Sequence, residues 1–488
     1  MAAKAVIFYC GKAVNVMDEI KGLFNADSAL LDEKLRIGES FDLVGRTIRI
    51  GERKAKLYFV DGFCKDDTME KLMNHMMQLD AQQALECATA RCFADKFISY
   101  VETDVTSDAQ GFAASVLSGA VGVLIEGYKD LIVIDARTYP VRNISEPQND
   151  KVLRGPHDGF VETLVFNTAL IRRRIRDEAL TMEIHSVGGK SKTDVVICFM
   201  HGVTEEKTLG KVRKMIDSLQ INSLTMSQQS LIECLVPKQR FNPFPKVRFT
   251  ERPDAAAASV LEGSVVILTD NSPAAMVIPS GIFDFLQDTN DFYLAPLVGS
   301  YIRLLRLVIF IVTLVFTPVW LLLVDNPHII PQWLEFIRIE QMNTLPVAAQ
   351  LIIAELVIDG LKIASLNTPS SLSNSFSVVG ALVLGEFAVS SGWFVSEVVL
   401  YMAFVAITNF AQSSFELGYA FKLLRMMLTV LVAVLGIWGL AAGLVIIAIL
   451  LFTTKTVSGK CYLYPLIPFN AKALGSLLVR KPINLSKN

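Results

Sequence analysis

The pattern of apolar and polar positions changes near residue 300, and that change predicts two kinds of structure in one chain. Up to residue 297, short apolar runs alternate with charged helical stretches, as in an α/β protein. Two uncharged stretches follow, at 307–324 and 426–452. Each is long enough to cross roughly 30 Å of hydrocarbon as a helix. The pattern predicts a multi-domain chain with an α/β part in front of a polytopic α-helical membrane domain.

The α/β part contains a weak internal repeat. An apolar strand that ends at Gly62 and leads into a helix is matched by a strand ending at Gly202. The sequence around Gly119 is similarly matched by that around Gly263, at nearly the same spacing. This offset predicts two related α/β subdomains, residues 1–150 and residues 151–297, the second opening with a linker helix. Chance similarity of strand–turn–strand units is the alternative.

The membrane domain is predicted over residues 298–456, and a C-terminal tail over 457–488. Basic residues lie close to the start of the first span, at Arg303 and Arg306, and in the tail. Since positively charged flanks stay in the cytoplasm, both chain ends should face it, and the number of crossings is even. We expect about four transmembrane helices with short broken or re-entrant helices between them.

Two segments of the membrane domain have distinct expected roles. The amphipathic stretch 333–341 is expected to lie in the membrane interface rather than to span it. A last long helix is predicted over 421–452. Its glycines Gly436, Gly439 and Gly443 lie on related faces, which favours close helix packing.

The helix predicted over 346–366 carries Glu355, Asp359 and Lys362 on one face. Charges at membrane depth are costly unless they face water, a partner or a pore. A hydroxyl-rich break follows, and then Glu386. The functional interpretation is a polar permeation path. The alternatives are internal pairing of Glu355 with Lys362, or a helix lying flat at the interface.

A motif between the two subdomains opens with turn chemistry and continues into a helix predicted over 161–176. The motif residues are Arg154, Gly155, Pro156, Gly159 and Glu162. Asp158 is the expected N-cap of this helix. Arg172 and Arg173 crowd its C-terminal end, where they complement the helix dipole. Two interpretations stay open: a solvated helix terminus, or a basic interface at a subunit or subdomain junction or with anionic headgroups.

Composition excludes several classes of function. The net charge of −2 gives no indication of nucleic-acid binding. Seven scattered cysteines form no CxxC pair, which predicts free thiols, and the five histidines lack metal-site spacing. Gly188-Gly189-Lys190-Ser191 resembles the end of a phosphate loop, but Ile184 stands where that motif needs glycine. We expect no enzyme activity, no cofactor and no metal.

Two stretches carry a family resemblance: 154–162 (RGPHDGFVE) and 464–469 (YPLIPF). They resemble the A subunits of GerA-type spore germinant receptors, and the similarity runs from about residue 40 to 480. The resemblance implies a multi-pass protein of the spore inner membrane with its soluble domains on the core side. It also implies a ring-shaped homo-oligomer, a pentamer, that conducts monovalent cations. The expected partners are an accessory membrane subunit, other germinant receptor components and the lipid bilayer.

Three functions compete at this stage. The leading expectation is a subunit of an oligomeric cation channel that supports or amplifies ion release during germination. Its pore would be lined by the Glu355 and Asp359 face, because a ring of carboxylates favours cations. The second is a non-conducting scaffold or signalling partner of germinant receptors. A secondary transporter is weaker, since transporters carry paired broken helices and only one break is visible.

Overall fold

The computed structural model describes residues 22–100, 102–137, 154–236, 241–339, 343–367, 385 and 387–480. The chain divides into two compact units. The α/β unit is Met1–Pro237 with Val247–Pro279, and the helical unit is Lys238–Lys246 with Ser280–Asn488. These units follow contacts in space, and the boundaries predicted from the sequence at 150, 297 and 456 stay predictions.

The α/β unit contains two five-stranded antiparallel sheets. The first sheet consists of β1 (Leu43–Ile50), β2 (Arg53–Val60), β3 (Thr103–Thr106), β4 (Val121–Ile125) and β5 (Leu131–Ile134). The second consists of β6 (Leu180–Val187), β7 (Thr193–Met200), β8 (Arg248–Thr250), β9 (Val265–Thr269) and β10 (Ala275–Ile278). The strand orders are β1-β2-β4-β5-β3 and β6-β7-β9-β10-β8. Both sheets therefore have the same topology, as the internal repeat predicts and as chance similarity does not.

Helices lie between and beside these strands. They are α1 (22–34), α2 (Asp66–Met77), α3 (Ala81–Leu85), α4 (Ala90–Phe97), α5 (Ala109–Leu117), α6 (Leu164–Arg174), α7 (Glu206–Asp217), α8 (Ser227–Leu235) and α9 (Pro253–Leu261). The central strand β4 is buried at all five positions because it has side chains in contact on both faces. A Cβ on Gly122 would lie 2.3 Å from the Phe112 ring, so α5 packs directly onto this strand.

Local chemistry explains where several elements begin and end. The Asp108 carboxylate accepts hydrogen bonds from the backbone N–H groups of Gln110 and Gly111 and so caps α5. The segment that resembles a phosphate loop is the β6–β7 turn. Gly188 has a positive φ of 95° there and lies against the Ser191 side chain. A turn before β7 is the structural role that this segment has.

The helical unit contains α10 (Ile282–Leu286), α11 (Asn290–Tyr293), α12 (Pro296–Asp325), α13 (Val347–Asn367), α14 (Ala388–Ser390), α15 (Ser396–Phe410), α16 (Phe415–Leu435), α17 (Ile437–Thr453) and α18 (Ala471–Leu478). Two 3₁₀ turns, Pro327–Ile329 and Gln332–Ile337, follow α12. Among the described residues, α12 and α16 are long and apolar enough to cross a membrane, and two shorter apolar helices accompany them. The number of crossings stays a prediction.

The packing of these helices forms two apolar clusters. One joins the middle of α12 to the first half of α16, through Phe310 and Phe421. The other joins the end of α12 to the start of α15 and the end of α16, through Trp320, Val398 and Val432. The two cores lie toward opposite ends of the long helices. In them, α16 runs parallel to α12, and α15 runs antiparallel to it.

The prediction of one long last helix over 421–452 is wrong, because the chain turns back at Gly436. This residue has φ +57° and ψ −133°, a conformation that favours glycine, and it separates α16 from α17. The two helices form a tight hairpin. A Cβ on Gly439 would lie 1.9 Å from the Leu431 carbonyl oxygen, and one on Gly443 would lie 2.4 Å from Leu428. Close packing by glycine, expected from the sequence, thus occurs inside the hairpin.

Replacing Gly439 by alanine should therefore destabilise the helical unit. The added methyl group has to displace backbone, and such overpacking costs about 1–3 kcal/mol. The matched control is Gly360→Ala on α13, where nothing lies within 4 Å of the new Cβ. Thermal unfolding of the purified full chain in detergent should show a lower midpoint for Gly439→Ala alone. Equal midpoints for the two variants would contradict the hairpin geometry.

Candidate functional site

The centre of the helical unit holds a cluster of ionised side chains between α13 and α16. Glu355 and Asp359 come from α13, and Lys422 and Arg425 from α16. The spacing of four residues on α13 and three on α16 places each pair on one helix face. Because the two faces meet, the acidic residues of one helix lie against the basic residues of the other.

The cluster is held by direct contacts. Arg425 Nε donates to Glu355 Oε1 at 2.8 Å, and Lys422 Nζ lies 3.1 Å from Glu355 Oε2. Lys422 Nζ also lies 2.5 Å from Asp359 Oδ1. Arg425 Nη1 donates to the Thr313 carbonyl of α12 at 3.0 Å. Three helices are therefore connected through one guanidinium group.

Burial differs sharply within the cluster. The side chains of Arg425 and Lys422 are 1% and 3% exposed and that of Glu355 is 7% exposed, whereas Asp359 keeps 25% of its surface accessible. Buried charges require partners, because their desolvation is not otherwise compensated. Glu355 is thus the fully paired carboxylate, and Asp359 is the one that borders open space.

A small cavity adjoins the cluster between α13, α15 and α16. It is lined by Glu355, Ile358, Lys362, Met402, Val405, Ala406, Asn409, Lys422 and Arg425. Lys362 Nζ lies 5.6 Å from the centroid of the Tyr419 ring. The buried Asn409 Oδ1 has no hydrogen-bond partner within the described residues. A cavity of this size with an unpaired carbonyl oxygen is a place for about one buried water molecule.

The residues predicted for a polar path have different positions. Glu355 and Lys362 line one cavity, whereas Asp359 is not part of its lining and instead contacts Lys422. Glu386 lies outside the described residues. Glu355 pairs with Arg425 and Lys422 in the contacts described here, which the sequence alternatives did not include. Sequence reasoning missed Lys422 and Arg425 as part of the site. The available signal was two basic residues three positions apart in an otherwise apolar helix.

A second buried ion pair joins the two repeats of the α/β unit. Arg172 Nε of α6 donates to Oδ2 of Asp42 at 2.8 Å, and Asp42 directly precedes β1. Its side chain is 0% exposed and that of Asp42 is 1% exposed. Arg172 also donates to the Leu180 carbonyl, while Ser40 Oγ donates to Asp42 Oδ1. This cluster connects the approach to β1 with the approach to β6.

The surroundings of Arg172 are inert chemically. Burial raises the pKa of the nearby Cys198 thiol, and the negative charge of Asp42 raises it further, while Arg172 lowers it. The thiol therefore stays protonated over the physiological pH range. The junction is a structural connection between the repeats rather than a reactive site.

The linker motif differs from its predicted form in two respects. The helix begins at Leu164 after Thr163, so Asp158 is not its N-cap; Asp158 instead accepts from Arg174 Nη2 at 2.6 Å. Arg172 is fully buried and is not part of a solvated terminus, whereas Arg173 is exposed. The remaining motif residues, Arg154, Gly155, Pro156 and Glu162, are exposed, and Gly159 is buried.

A duplicated α/β unit followed along the chain by apolar helices with a buried charge cluster indicates a membrane-associated protein. Sequence comparison then places it. The chain belongs to the GerA family of Bacillus/Clostridium spore germination proteins, whose family model matches residues 31–488. The resemblance noted in the sequence is confirmed.

Two relatives similar in sequence agree with this membership. The chain is 37% identical over 452 residues to stage V sporulation protein AF of Bacillus subtilis (strain 168), covering 92% of this chain and 90% of that protein. It is 27% identical over 460 residues to spore germination protein KA of the same organism, covering 93% and 84%. The solved N-terminal domain of the A subunit of the Bacillus megaterium spore germinant receptor GerK3 is 23% identical, with a TM-score of 0.39, covering 51% of this chain and 91% of that one.

Neutralising Glu355 should destabilise the helical unit. In Glu355→Gln, Arg425 and Lys422 remain buried with one less negative charge, and breaking such a pair costs about 3–5 kcal/mol. Glu335→Gln is the control, because Glu335 is an exposed carboxylate of the same unit. We expect a clearly lower thermal midpoint in detergent for Glu355→Gln and an unchanged midpoint for the control. An unchanged midpoint would mean that the pair is not formed in the membrane protein.

The junction in the α/β unit is testable in the same way. Arg172→Met leaves the Asp42 carboxylate buried and unpaired, and should lower stability by about 3–5 kcal/mol. The double variant Asp42→Leu with Arg172→Met should recover much of that loss, because no charge then remains buried. Asp42→Leu alone is the second single variant, and Arg173→Met is the control on the same helix. Thermal unfolding of the full chain measures all four variants, and additive losses in the double variant would argue against direct pairing.

Proposed function

We propose that this chain is a subunit of an oligomeric cation-conducting channel that supports or amplifies ion release during spore germination. In this proposal it lies in the spore inner membrane as a homo-oligomer, with both termini on the core side. An accessory membrane subunit and germinant receptor components are its proposed partners, and monovalent cations are the conducted species. Family membership and the apolar helices support the membrane setting.

One observation carries the conduction proposal: ionised side chains and a polar cavity lie together among the apolar helices. Polar groups at this depth are expensive, and they mark ion pathways more often than simple packing. Asp359 is the carboxylate with accessible surface, so it is the proposed contact for a passing cation. Glu355 is the proposed structural anchor that holds α13 against α16.

The charges suggest how such a channel would stay closed at rest. Lys422 neutralises Asp359 across the α13–α16 contact, and a paired carboxylate attracts a cation far less than a free one. Opening then requires α13 to separate from Lys422, which frees the carboxylate in each subunit. A ring of such carboxylates would select cations.

Conduction should therefore respond in opposite directions to two substitutions. Lys422→Gln frees Asp359 and should increase the open fraction, whereas Asp359→Asn should reduce cation selectivity. Single-channel currents of the purified full chain in planar bilayers, with a potassium gradient, measure both through open time and reversal potential. Glu335→Gln is the matched control for loss of a carboxylate and should behave as the unmodified protein.

A scaffold function is the second candidate, and the internal pairing of Glu355 favours it, because a fully paired cluster also suits a rigid non-conducting support. Silence of correctly assembled protein would favour this candidate, provided that adding the membrane proteins that co-purify with it also gives no current. Currents that none of the substitutions alters would leave conduction intact but would contradict the assigned role of Asp359.

A further inference from the structure

The end of the helical unit that lies away from the charged start of α12 exposes large aromatic side chains. Trp333, Trp393 and Trp438 are 75%, 65% and 77% exposed, and Phe336 is 74% exposed. We call these four residues the aromatic rim. They come from three separate segments: the second 3₁₀ turn, the approach to α15 and the first turn of α17.

The rim residues belong to one end of the unit because their neighbours pack in one cluster. Ile337, Phe394 and Val432 all belong to the apolar core at the end of α12. Trp333 lies four residues before Ile337, and Trp393 directly precedes Phe394. Trp438 lies six residues after Val432, across the Gly436 turn of the tight hairpin.

The opposite end of the unit has different chemistry. There, Arg306 Nη1 lies 2.7 Å from Asp291 Oδ2, and Arg303 donates to the carbonyls of Ser476 and Leu477. The unit is therefore polarised along α12, with buried arginines toward one end and exposed indoles at the other.

The tip of the α16–α17 hairpin is apolar. Val434, Leu435, Ile437 and Trp438 are all exposed apolar residues. Both backbone groups of Gly436 are nevertheless paired: its N–H donates to the Val432 carbonyl at 2.8 Å, and its carbonyl accepts from Leu440 N at 3.2 Å. Pairing within the turn lowers the cost of placing this residue in a low-dielectric environment.

The second 3₁₀ turn indicates the depth more closely. Glu335 and Arg338 are exposed beside Trp333 and Phe336. Charged and aromatic side chains so close together suit neither bulk water nor pure hydrocarbon. Indole rings with an apolar body and one N–H group concentrate at the boundary between lipid headgroups and acyl chains.

We propose that the aromatic rim lies in the headgroup–acyl boundary of the membrane leaflet opposite the charged start of α12, and that it sets the depth of the helical unit. The occupant of this surface is phospholipid rather than a second copy of the chain. Neighbouring subunits in a membrane contact one another along the sides of helices, whereas the rim gathers at their ends. The inference does not depend on conduction, and a silent scaffold would carry the same rim.

Tryptophan fluorescence tests this directly, because the chain has four tryptophans and the fourth is buried. Trp320 is 3% exposed, and its Nε1 donates to the Ile337 carbonyl at 3.1 Å. Full-length variants that each keep one rim tryptophan, with the others replaced by phenylalanine, are reconstituted into phosphatidylglycerol-containing vesicles. The lipids are brominated either near the headgroup or near the chain terminus, and iodide is the aqueous quencher.

Each rim tryptophan should emit at shorter wavelength than in water and be quenched more by bromine near the headgroup than by deep bromine or iodide. The Trp320-only variant is the control and should be quenched weakly by all three. Strong iodide quenching would place the rim in water, and protection from every quencher would place it against protein; either result overturns the proposal. If a variant fails to fold, the total tryptophan emission of the unmodified protein is measured instead. Stronger quenching of that emission by iodide than by bromine near the headgroup would also overturn the proposal.

Discussion

The contact between α13 and α16 is the constraint on which the helical unit depends. Arg425 donates to Glu355 and to the Thr313 carbonyl, so one buried guanidinium fixes three helices relative to each other. In a low-dielectric setting, neither charge could remain without the other. The network therefore specifies which faces of α12, α13 and α16 meet, where apolar contacts alone would allow several arrangements. Any movement that opens a path beside Asp359 has to begin by altering this contact.

The α/β unit uses the same physical rule at a different place. Two copies of one sheet topology could pack in many ways, since apolar surfaces are not directional. Arg172 and Asp42 restrict the choice, because their burial is tolerable only when they meet. The serine hydroxyl of Ser40 donates to the same carboxylate and leaves it well satisfied. In both units, a buried ion pair joins segments that are distant in sequence, and glycine and apolar packing complete the fit.

The two ends of the helical unit have complementary chemistry, and this connects structure to membrane setting. Basic residues near the start of α12 are held by Asp291, and the glycine-closed hairpin presents uncharged residues at its tip. This polarity is compatible with either proposed function. In the proposed channel, Asp359 has to leave Lys422, and whether it can do so depends on the energy of the contact between two helices rather than on the fold.

The sequence by itself determined the division into α/β and membrane parts, the internal repeat, the presence of α12 and α13 and the family, because these depend on local periodicity and on motifs that are contiguous in the chain. Only the tertiary structure decided that 421–452 turns back at Gly436, that Glu355 meets Arg425, and that Arg172 is buried. The pattern of an uncharged, glycine-containing stretch is the same for one long helix and for two helices joined by a turn. Ion pairs between residues 70 or 130 positions apart produce no periodic pattern in the sequence, since tertiary packing brings the two residues together.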